Sequence, residues 1–306
     1  MSEQQFKQIH DFNEILTRPN FIESAVISKQ EDGIKLKELV AHYQLKERVK
    51  CGIAQCGTKH LMGYVVTLSN GKEIIIGNKC GKNNFGVDFT NKEREFKSQR
   101  ERAEQHQFIK DTFTKLPELK QTFESVLLQS GPLTFIDIQK AVKGLNGEVF
   151  DYWMHQTIRN RVSSNGVITE ERFKTEEERE IEEIFNEGMN KSYVSDTKIV
   201  TVAVIEHFDI VANWHKAEKL KAYFEKMHRE IRDPASLPND VFKNLVKDLR
   251  VYDHNLRELK EFCTYGNRLL AKENLSKLSV LFNKSDELKK LNAFIDNIDQ
   301  RIKGVL

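Results

Sequence analysis

The sequence has no long apolar stretch and few cysteines. No run approaches the roughly 18 apolar residues that a membrane-spanning helix needs. The N-terminus, MSEQQFKQIHDFNEIL, also lacks the basic-then-apolar pattern of a secretion signal. Four cysteines in 306 residues are too few for a disulfide framework, and three of them are clustered. Because clustered cysteines in a cytosolic protein usually bind metal, we expect a cytoplasmic protein with a metal site and no membrane contact.

Proline and net charge are also scarce. The chain has only five prolines and a net charge of +2, so its overall charge indicates no particular partner. Charged residues make up 31% of the chain and hydrophobic residues 39%. This composition predicts a mainly α protein, built from long helices or a helical bundle, with enough apolar material for two or three domains.

The pattern along the chain predicts five segments. Residues 34–40 have apolar residues at helical spacing, and residues 91–113 are highly charged without glycine or proline, as in a solvated helix or a coiled coil. The predicted segments are an N-terminal helical segment at 1–50, a zinc-finger-like module at 51–90, a long charged helix at 91–130, a small helical segment at 131–190 and a C-terminal helical bundle at 191–306.

A β-hairpin is predicted within CGIAQCGTKHLMGYVVTLSNGKEIIIGNKCGKNNFG, residues 51–86. Asn70-Gly71 separates two β-rich runs, and this dipeptide is the strongest short-range signal for a hairpin. Tyr64, Val66 and Leu68 alternate along the first run, so we expect them on one face of the sheet. No other part of the chain has a clear β pattern.

The same stretch contains a candidate set of metal ligands with the spacing Cys51-x4-Cys56-x3-His60-x19-Cys80. A structural zinc ion takes four tetrahedral ligands from cysteine sulfur and histidine nitrogen. Glycine follows each of these cysteines, which predicts positive φ angles that turn backbone N–H groups toward the sulfurs. We therefore predict a structural Zn²⁺ bound by Cys51, Cys56, His60 and Cys80, since so small a segment needs a metal to fold alone.

A cysteine knuckle, a hairpin and a cysteine that leads into a helix follow one another in this stretch. In this order it resembles the treble-clef and related zinc-finger modules, and the closing IGNKCGKNNFG is similar to a motif of uncharacterised bacterial and phage proteins. The resemblance covers residues 51–86 and implies a small metal-stabilised fold and a link to bacteriophages. The x4 spacing differs from the usual x2, which leaves the finger class open. His42 and Asp88 remain alternatives to His60.

The signatures of common enzyme classes are missing from the sequence. It contains no His-Glu-x-x-His helix, no phosphate-binding loop that ends in Gly-Lys-Ser/Thr and no Gly-x-Ser-x-Gly elbow. Nucleobase deaminases place His-x-Glu before Cys-x-x-Cys, which is the reverse of the order here. We therefore predict a structural zinc site and no catalytic residues.

Basic residues are concentrated around the predicted zinc module. Residues 45–86 carry seven lysines and arginines against two glutamates, a local charge of +5 in a nearly neutral chain. Local positive charge is typical of phosphate contact, so the predicted partner is nucleic acid, with DNA favoured over RNA. Ordinary solubility is the alternative explanation. The predicted contact residues are Lys50, Lys59, Lys72, Lys79, Lys82 and Arg94.

The stretch LTFIDIQKAVKGLNGEVFDYWMHQTIRNRVSSNGVI has the pattern of a helix-turn-helix with a small wing. The residues predicted to pack its helices together are Phe135, Ile138, Val142, Phe150, Trp153 and Ile158. Residues suited to base and phosphate contact are predicted on the exposed face of the second helix: Gln156, Arg159, Asn160 and Arg161. A plain α-hairpin within a bundle is the alternative.

The last third of the chain favours protein contacts. Its amphipathic helices carry neither a basic face nor a catalytic constellation, so they are candidates for a homodimer or for docking a protein partner. Two hypotheses follow. The first is a non-enzymatic nucleic-acid-binding protein with a structural zinc finger. The second is a helical adaptor, such as a phage or host-interaction protein, in which zinc only stabilises the fold.

Overall fold

The computed structural model describes residues 8–27, 33–185 and 195–304. The chain divides into two compact units, Met1–Asp111 and Thr112–Leu306, which we call the N-terminal and C-terminal units. Helices dominate, which confirms the mainly α prediction, and a small antiparallel sheet lies next to the clustered cysteines. Among the described residues no helix is long and apolar enough to cross a membrane.

The N-terminal unit is built on a three-stranded antiparallel sheet in the order β1-β2-β3. Its elements are a short helix, α1 (Phe12–Leu16), then β1 (Leu36–Lys50), β2 (Lys59–Leu68), β3 (Glu73–Ile76) and the start of α2 (Asn78–Thr114). One face of the sheet packs Tyr64 and Val66 against Phe89, and the other packs Tyr43 and Val65 against Ile15. The sheet is therefore buried on both sides.

β1 corrects the prediction of a helical segment over residues 1–50. Residues 36–50 form a strand that pairs with β2, and its register shifts between Leu36 and Glu38 and again between Leu39 and Ala41. Each β-bulge inserts an extra residue and changes the face that follows. Leu36 and Leu39 therefore lie on the same face although they are three residues apart. This spacing of three imitates a helix, which is why the sequence pattern was misleading.

The predicted hairpin is confirmed as β2 and β3. Gly71 has φ of 80°, and the Leu68 amide donates to the Lys72 carbonyl at 2.8 Å. The Asn70 side chain accepts a hydrogen bond from the Lys72 amide. Both residues of the Asn-Gly pair therefore stabilise the turn, Asn70 by this bond and Gly71 by its positive φ. Tyr64, Val66 and Leu68 belong to one buried cluster, as the alternation predicts.

The long charged helix begins earlier than predicted, at Asn78, and is kinked at Gly86, where φ is 56° and ψ is −125°. After the kink, Phe89 and Phe96 meet the Tyr64 ring edge to face, with centroid distances of 5.9 and 5.8 Å. Buried Glu93 accepts a hydrogen bond from the Tyr64 hydroxyl at 3.2 Å and pairs with Lys97 at 2.7 Å. The first half of the helix, as far as Phe96, thus belongs to the core beside the cysteines. Its assignment as a coiled coil stays a prediction.

Over the residues that the structure describes, the C-terminal unit is helical apart from one two-stranded antiparallel ribbon, β4-β5. Its first elements are α3 (Leu116–Gln129), α4 (Phe135–Lys143), a π turn (Gly144–Glu148), α5 (Tyr152–Arg161), β4 (Val167–Phe173), α6 (Glu176–Phe185) and β5 (Thr197–Val204). The rest are α7 (Asp209–Glu230), α8 (Asn239–Leu249), α9 (Tyr252–Leu269), α10 (Lys272–Leu275) and α11 (Ser285–Ile302), with 3₁₀ turns at Pro234–Ser236 and Ser276–Leu281. The ribbon is a departure from the all-helical prediction for this region.

α4 and α5 are followed by the ribbon, as the pattern of two helices and a wing predicts. Of the six residues predicted to pack the two helices together, five are buried: Phe135, Ile138, Val142, Phe150 and Ile158. The packing prediction is wrong for Trp153, because its side chain is 75% exposed. The buried positions of α5 are Met154 and Ile158, one helical turn apart, and Trp153 is rotated about 100° away from Met154.

Candidate metal centre

Three of the four predicted ligands lie together at one end of the sheet. Cys51 directly follows β1, Cys56 lies in the loop between β1 and β2, and Cys80 is in the first turn of α2. Their Sγ atoms all lie within 4.8 Å of one another, and those of Cys56 and Cys80 are 3.2 Å apart. We call this group the cysteine cluster. A tetrahedral ion with Zn–S bonds of about 2.3 Å holds sulfurs about 3.8 Å apart, so the cluster fits zinc after small side-chain movements.

Backbone hydrogen bonds hold the loop that carries the cluster. The Cys51 amide donates to the Thr58 carbonyl at 2.9 Å, and the Cys56 amide donates to the Ile53 carbonyl at 2.9 Å. The Gly52 amide donates to the Ile75 carbonyl at 2.7 Å, which ties the loop to β3. The loop is therefore anchored to the sheet on both sides of the first cysteine.

The three glycines after the cysteines have different roles. Only Gly57 has the predicted positive φ, at 64°. A Cβ on Gly52 would lie 2.9 Å from the Ile75 carbonyl oxygen, and one on Gly81 would lie 2.4 Å from the Phe89 ring. The positive-φ prediction is therefore wrong at Gly52 and Gly81, where close packing of neighbouring elements, rather than backbone conformation, requires the missing side chain.

Burial and hydrogen bonding give the three thiols different pKa values. Burial raises the pKa of Cys51 to about 12 and also raises the pKa of Cys80. A hydrogen bond from the Thr58 side chain is the largest cause that lowers the pKa of half-buried Cys56, to about 7. Three thiolates this close together repel one another strongly, and a divalent cation removes that repulsion. The donor set thus suits a soft metal ion such as Zn²⁺.

His60 lies outside this group of mutually close ligand atoms. Its Nδ1 shares a 2.6 Å hydrogen bond with the Tyr43 hydroxyl, and its Nε2 is buried without a hydrogen-bond partner. The ring packs against Gly77, where a Cβ would lie 2.7 Å from its Cδ2. Metal-binding histidines commonly hold one nitrogen in a hydrogen bond and leave the other for the ion. His60 as the fourth ligand stays a prediction.

The alternative ligands are less well placed. His42 packs its ring on Tyr64 at 5.2 Å, and its Nδ1 is buried without a hydrogen-bond partner. Asp88 is exposed on α2. Neither belongs to the cysteine cluster, which is the only group of close His, Cys, Asp or Glu ligand atoms in the part of the chain that the structure describes.

The eight lysines and arginines predicted to contact nucleic acid are all exposed, as is Asn160, whereas Gln156 is half-buried and departs from the predicted exposure. Lys50 and Lys59 are cross-strand partners at the ends of β1 and β2 beside the cysteine cluster, and Lys79 directly precedes Cys80. None of these three forms an ion pair within the described ranges. The cluster therefore has unneutralised positive charge around it.

The remaining predicted contacts lie elsewhere or are partly neutralised. Lys82 is 3.7 Å from Glu93, and Arg94 is exposed further along α2. Lys72 lies in the hairpin turn at the other end of β2, and a 10-residue strand separates the two ends by about 30 Å. Arg159 and Arg161 belong to α5 of the C-terminal unit. The predicted set is thus divided among several surfaces.

Sequence reasoning missed the roles of Tyr43 and Trp153. The contact between Tyr43 and His60 joins two strands, and the spacing within either strand carries no signal for it. Trp153 is exposed beside Tyr152, which is 68% exposed. Comparisons of the chain with protein-family models, curated proteins and solved structures found no match.

Proposed function

We propose that this protein binds nucleic acid, with DNA favoured over RNA, and catalyses no reaction. In this proposal the contact surface is the lysine-rich end of the N-terminal unit, which we call the basic end: Lys50, Lys59, Lys79 and Lys82. A structural Zn²⁺ bound by Cys51, Cys56, Cys80 and His60 holds it together. The zinc supplies folding energy by joining the end of β1, the following loop and the start of α2.

One observation carries the proposal: the direct pairing of Lys50 with Lys59 across β1 and β2. Like charges opposite each other in a sheet are destabilising, and no carboxylate pairs with either lysine among the described residues. Lys79 adds a third positive charge next to Cys80. Phosphates of a nucleic acid would neutralise this charge and release counterions.

The metal part of the proposal rests on the cysteine cluster and on the free Nε2 of His60. Three buried or half-buried sulfurs within 4.8 Å of one another supply three ligands. If the Nδ1–H of His60 donates to the Tyr43 hydroxyl, the buried Nε2 keeps a lone pair for the ion. A Cys₃His set is one of the common structural zinc sites.

The test combines elemental analysis with binding. One zinc per chain is expected, together with binding to duplex and single-stranded DNA that weakens steeply as salt increases. Replacing Lys50, Lys59 and Lys79 by glutamine should weaken binding to every sequence and reduce the slope of log affinity against log salt by about one per lost phosphate contact.

Lys72→Gln is the control for position, because it removes one positive charge from the far end of β2, as each substitution of the triple variant removes one from the basic end. Its affinity and salt slope should match those of the wild type. A loss of affinity in the control as large as the triple variant's loss per removed charge would show that overall charge, and not the basic end, is responsible. No zinc in the purified protein would reject the metal site.

A second candidate function is protein binding, as in an adaptor, and α6 favours it. This helix buries none of its side chains. It holds to the ribbon through ion pairs of Glu178 with Arg172 and Lys198, and leaves Ile181, Ile184 and Phe185 more than half exposed. Such an apolar stripe on an acidic helix is typical of a helix that docks on a partner. Failure of the zinc-loaded wild-type protein to bind any nucleic acid would favour this function.

A further inference from the structure

The most exposed large aromatic side chains of the helix–turn–helix region lie side by side at the start of α5. Tyr152 is 68% exposed and Trp153 is 75% exposed, and their rings meet edge to face with centroids 5.6 Å apart. The other tryptophan of the chain, Trp214, is only 3% exposed and packs on Phe135 in the core. Two exposed aromatic rings in contact with each other form a contiguous apolar patch, a feature that is typical of interaction sites.

α5 is firmly held, so this patch has a fixed orientation within the C-terminal unit. Asp151 caps the helix by accepting from the Met154 amide at 3.0 Å, and its other oxygen pairs with Lys290 at 2.7 Å. Met154 and Ile158 anchor the opposite side of the helix in the core. The aromatic pair is therefore presented outward by a rigid element.

The rest of the outward side of α5 is polar and basic. Tyr152 and Arg159 are seven residues apart, as are Trp153 and Asn160, so each pair lies on one line of the helix about 10 Å apart. Gln156 lies between them, one turn after Tyr152. We call these five residues the α5 face. Arg159 forms no ion pair among the described residues.

We propose that the α5 face binds an unpaired nucleic-acid strand. Bases stack on Trp153 and Tyr152, the Arg159 guanidinium contacts phosphate, and the amides of Gln156 and Asn160 contact base edges. Aromatic rings and cations in one groove or face are the usual means of holding single strands. The inference rests on the proposed function in that the protein binds nucleic acid, but it adds a separate site in the C-terminal unit.

Two observations favour a single strand over a duplex. Stacking requires the open face of a base, which a paired base inside a duplex does not offer. In addition, the ribbon that follows α5 exposes Glu170 and Glu171, and α6 exposes further glutamates. These carboxylates would repel the second phosphate row of a duplex lying along α5, whereas a single strand can bend away from them.

The composition of the face also favours nucleic acid over protein. The side chains beside the rings are two exposed ones, Arg159 and Asn160, and the half-buried Gln156, residue types that pair with phosphates and base edges. By contrast, the exposed apolar residues of α6 are aliphatic and phenyl groups among glutamates. The two surfaces therefore suit different partners, and the neutralised Asp151 leaves Arg159 as the unpaired charge of the α5 face.

Trp153 provides the measurement. Its fluorescence in the intact chain is followed while a short oligothymidylate, the matching oligouridylate or a duplex of equal length is added. We expect the single strands to quench this emission and to protect it from iodide, and the duplex to have a smaller effect. The two single strands distinguish DNA from RNA. A stronger response to the duplex, or no response to any of the three, would overturn the proposal.

Variants make the test specific. Trp153→Ala should weaken single-strand binding about 10-fold or more, and Tyr152→Ala somewhat less, because each stacked base is lost with its ring. Phe173→Ala is the matched control: it removes another aromatic side chain, 72% exposed, from β4, and should leave the affinity unchanged. Equal losses in Trp153→Ala and Phe173→Ala would reject the α5 face. In Trp153→Ala, Trp214 is the only tryptophan left, and its unchanged emission shows that this variant is folded.

The two proposed sites fail in distinguishable ways. Replacing Lys50, Lys59 and Lys79 by glutamine changes only the N-terminal unit, so it should leave the quenching of Trp153 in place. If that triple variant binds more weakly than the wild type while single strands still quench Trp153, both sites exist. If quenching persists and the triple variant binds as the wild type does, the α5 face stands and the basic end fails. If quenching is absent while the triple variant loses binding, the α5 face fails alone.

Discussion

The N-terminal unit places three of the chain's four thiols at one end of a small sheet, whereas the C-terminal unit buries its single cysteine, Cys263, which belongs to no group of three or more close ligands among the described residues. Burial raises the pKa of Cys263 to about 12, so this thiol remains protonated and packs as a small apolar group. The core of the C-terminal unit instead contains aromatic rings packed on one another. The ring centroids of Phe123 and Phe224 are 5.2 Å apart, and those of Phe224 and Tyr252 are 5.0 Å apart. We infer that metal chemistry supports one unit and packing alone supports the other.

Removal of the metal should produce the largest difference in stability between the two units. A strong zinc chelator, or Cys80→Ser, should lower the unfolding temperature of the N-terminal unit by at least about 20 °C, because structural zinc commonly contributes more than about 5 kcal/mol. The C-terminal unit should keep its stability. Both tryptophans belong to that unit, so their fluorescence follows it selectively while circular dichroism follows the whole chain.

Cys263→Ser is the control for this comparison. It removes a buried thiol from the C-terminal unit, so it should lower the fluorescence-detected stability by about 1–2 kcal/mol and leave the zinc content unchanged. Simultaneous loss of both units after chelation would contradict the division of labour between metal and packing.

A core substitution should give the next largest effect. Phe224 is fully buried, and its replacement by alanine should lower the free energy of unfolding of the C-terminal unit by about 3–5 kcal/mol, through lost burial and a cavity. Phe89→Ala makes an equivalent change beside the cysteine cluster. Urea unfolding with and without added zinc compares the two: excess zinc should offset the loss in Phe89→Ala by mass action and leave Phe224→Ala unaffected. Rescue of Phe224→Ala by zinc would place a metal in the wrong unit.

Much of the N-terminal unit could be predicted because its signals are local. Asn70-Gly71 defines a turn without reference to the rest of the chain, and the spacing of Cys51, Cys56 and Cys80 around it indicated the cluster. β1 could not be predicted in the same way, since its bulges disturb the alternation of period two at Leu36 and Leu39. A strand whose register shifts can be recognised only with its partner.

Exposure within the C-terminal unit was harder to predict. Trp153 and Met154 are adjacent in sequence, and both are large and apolar, yet only Met154 points into the core. The choice depends on which side of α5 packs into the core, and that packing, like the ion pair of Asp151 with Lys290, 139 residues away, joins distant parts of the chain. Likewise, the hydrogen bond from Tyr43 to His60 depends on strand pairing and not on spacing. Contacts between distant parts of the chain decide these details.

The smallest expected difference between the units is in their response to acid, and His228 determines it for the C-terminal unit. Burial lowers the pKa of His228, with Lys120 adding to this shift and Glu124 opposing it, and its Nε2 lies 3.1 Å from the Tyr252 hydroxyl. In the unfolded chain His228 has its ordinary pKa of 6.5 and is protonated below that pH. In the folded unit it stays neutral until the pH reaches its lower folded pKa. The stabilisation is therefore complete above pH 6.5 and is lost as the pH falls toward the lowered folded value. In His228→Phe the fluorescence-detected stability should fall less steeply below that pH, by up to about 1.4 kcal/mol per pH unit. An identical slope in His228→Phe and wild type would mean that other groups cause the loss of stability in acid.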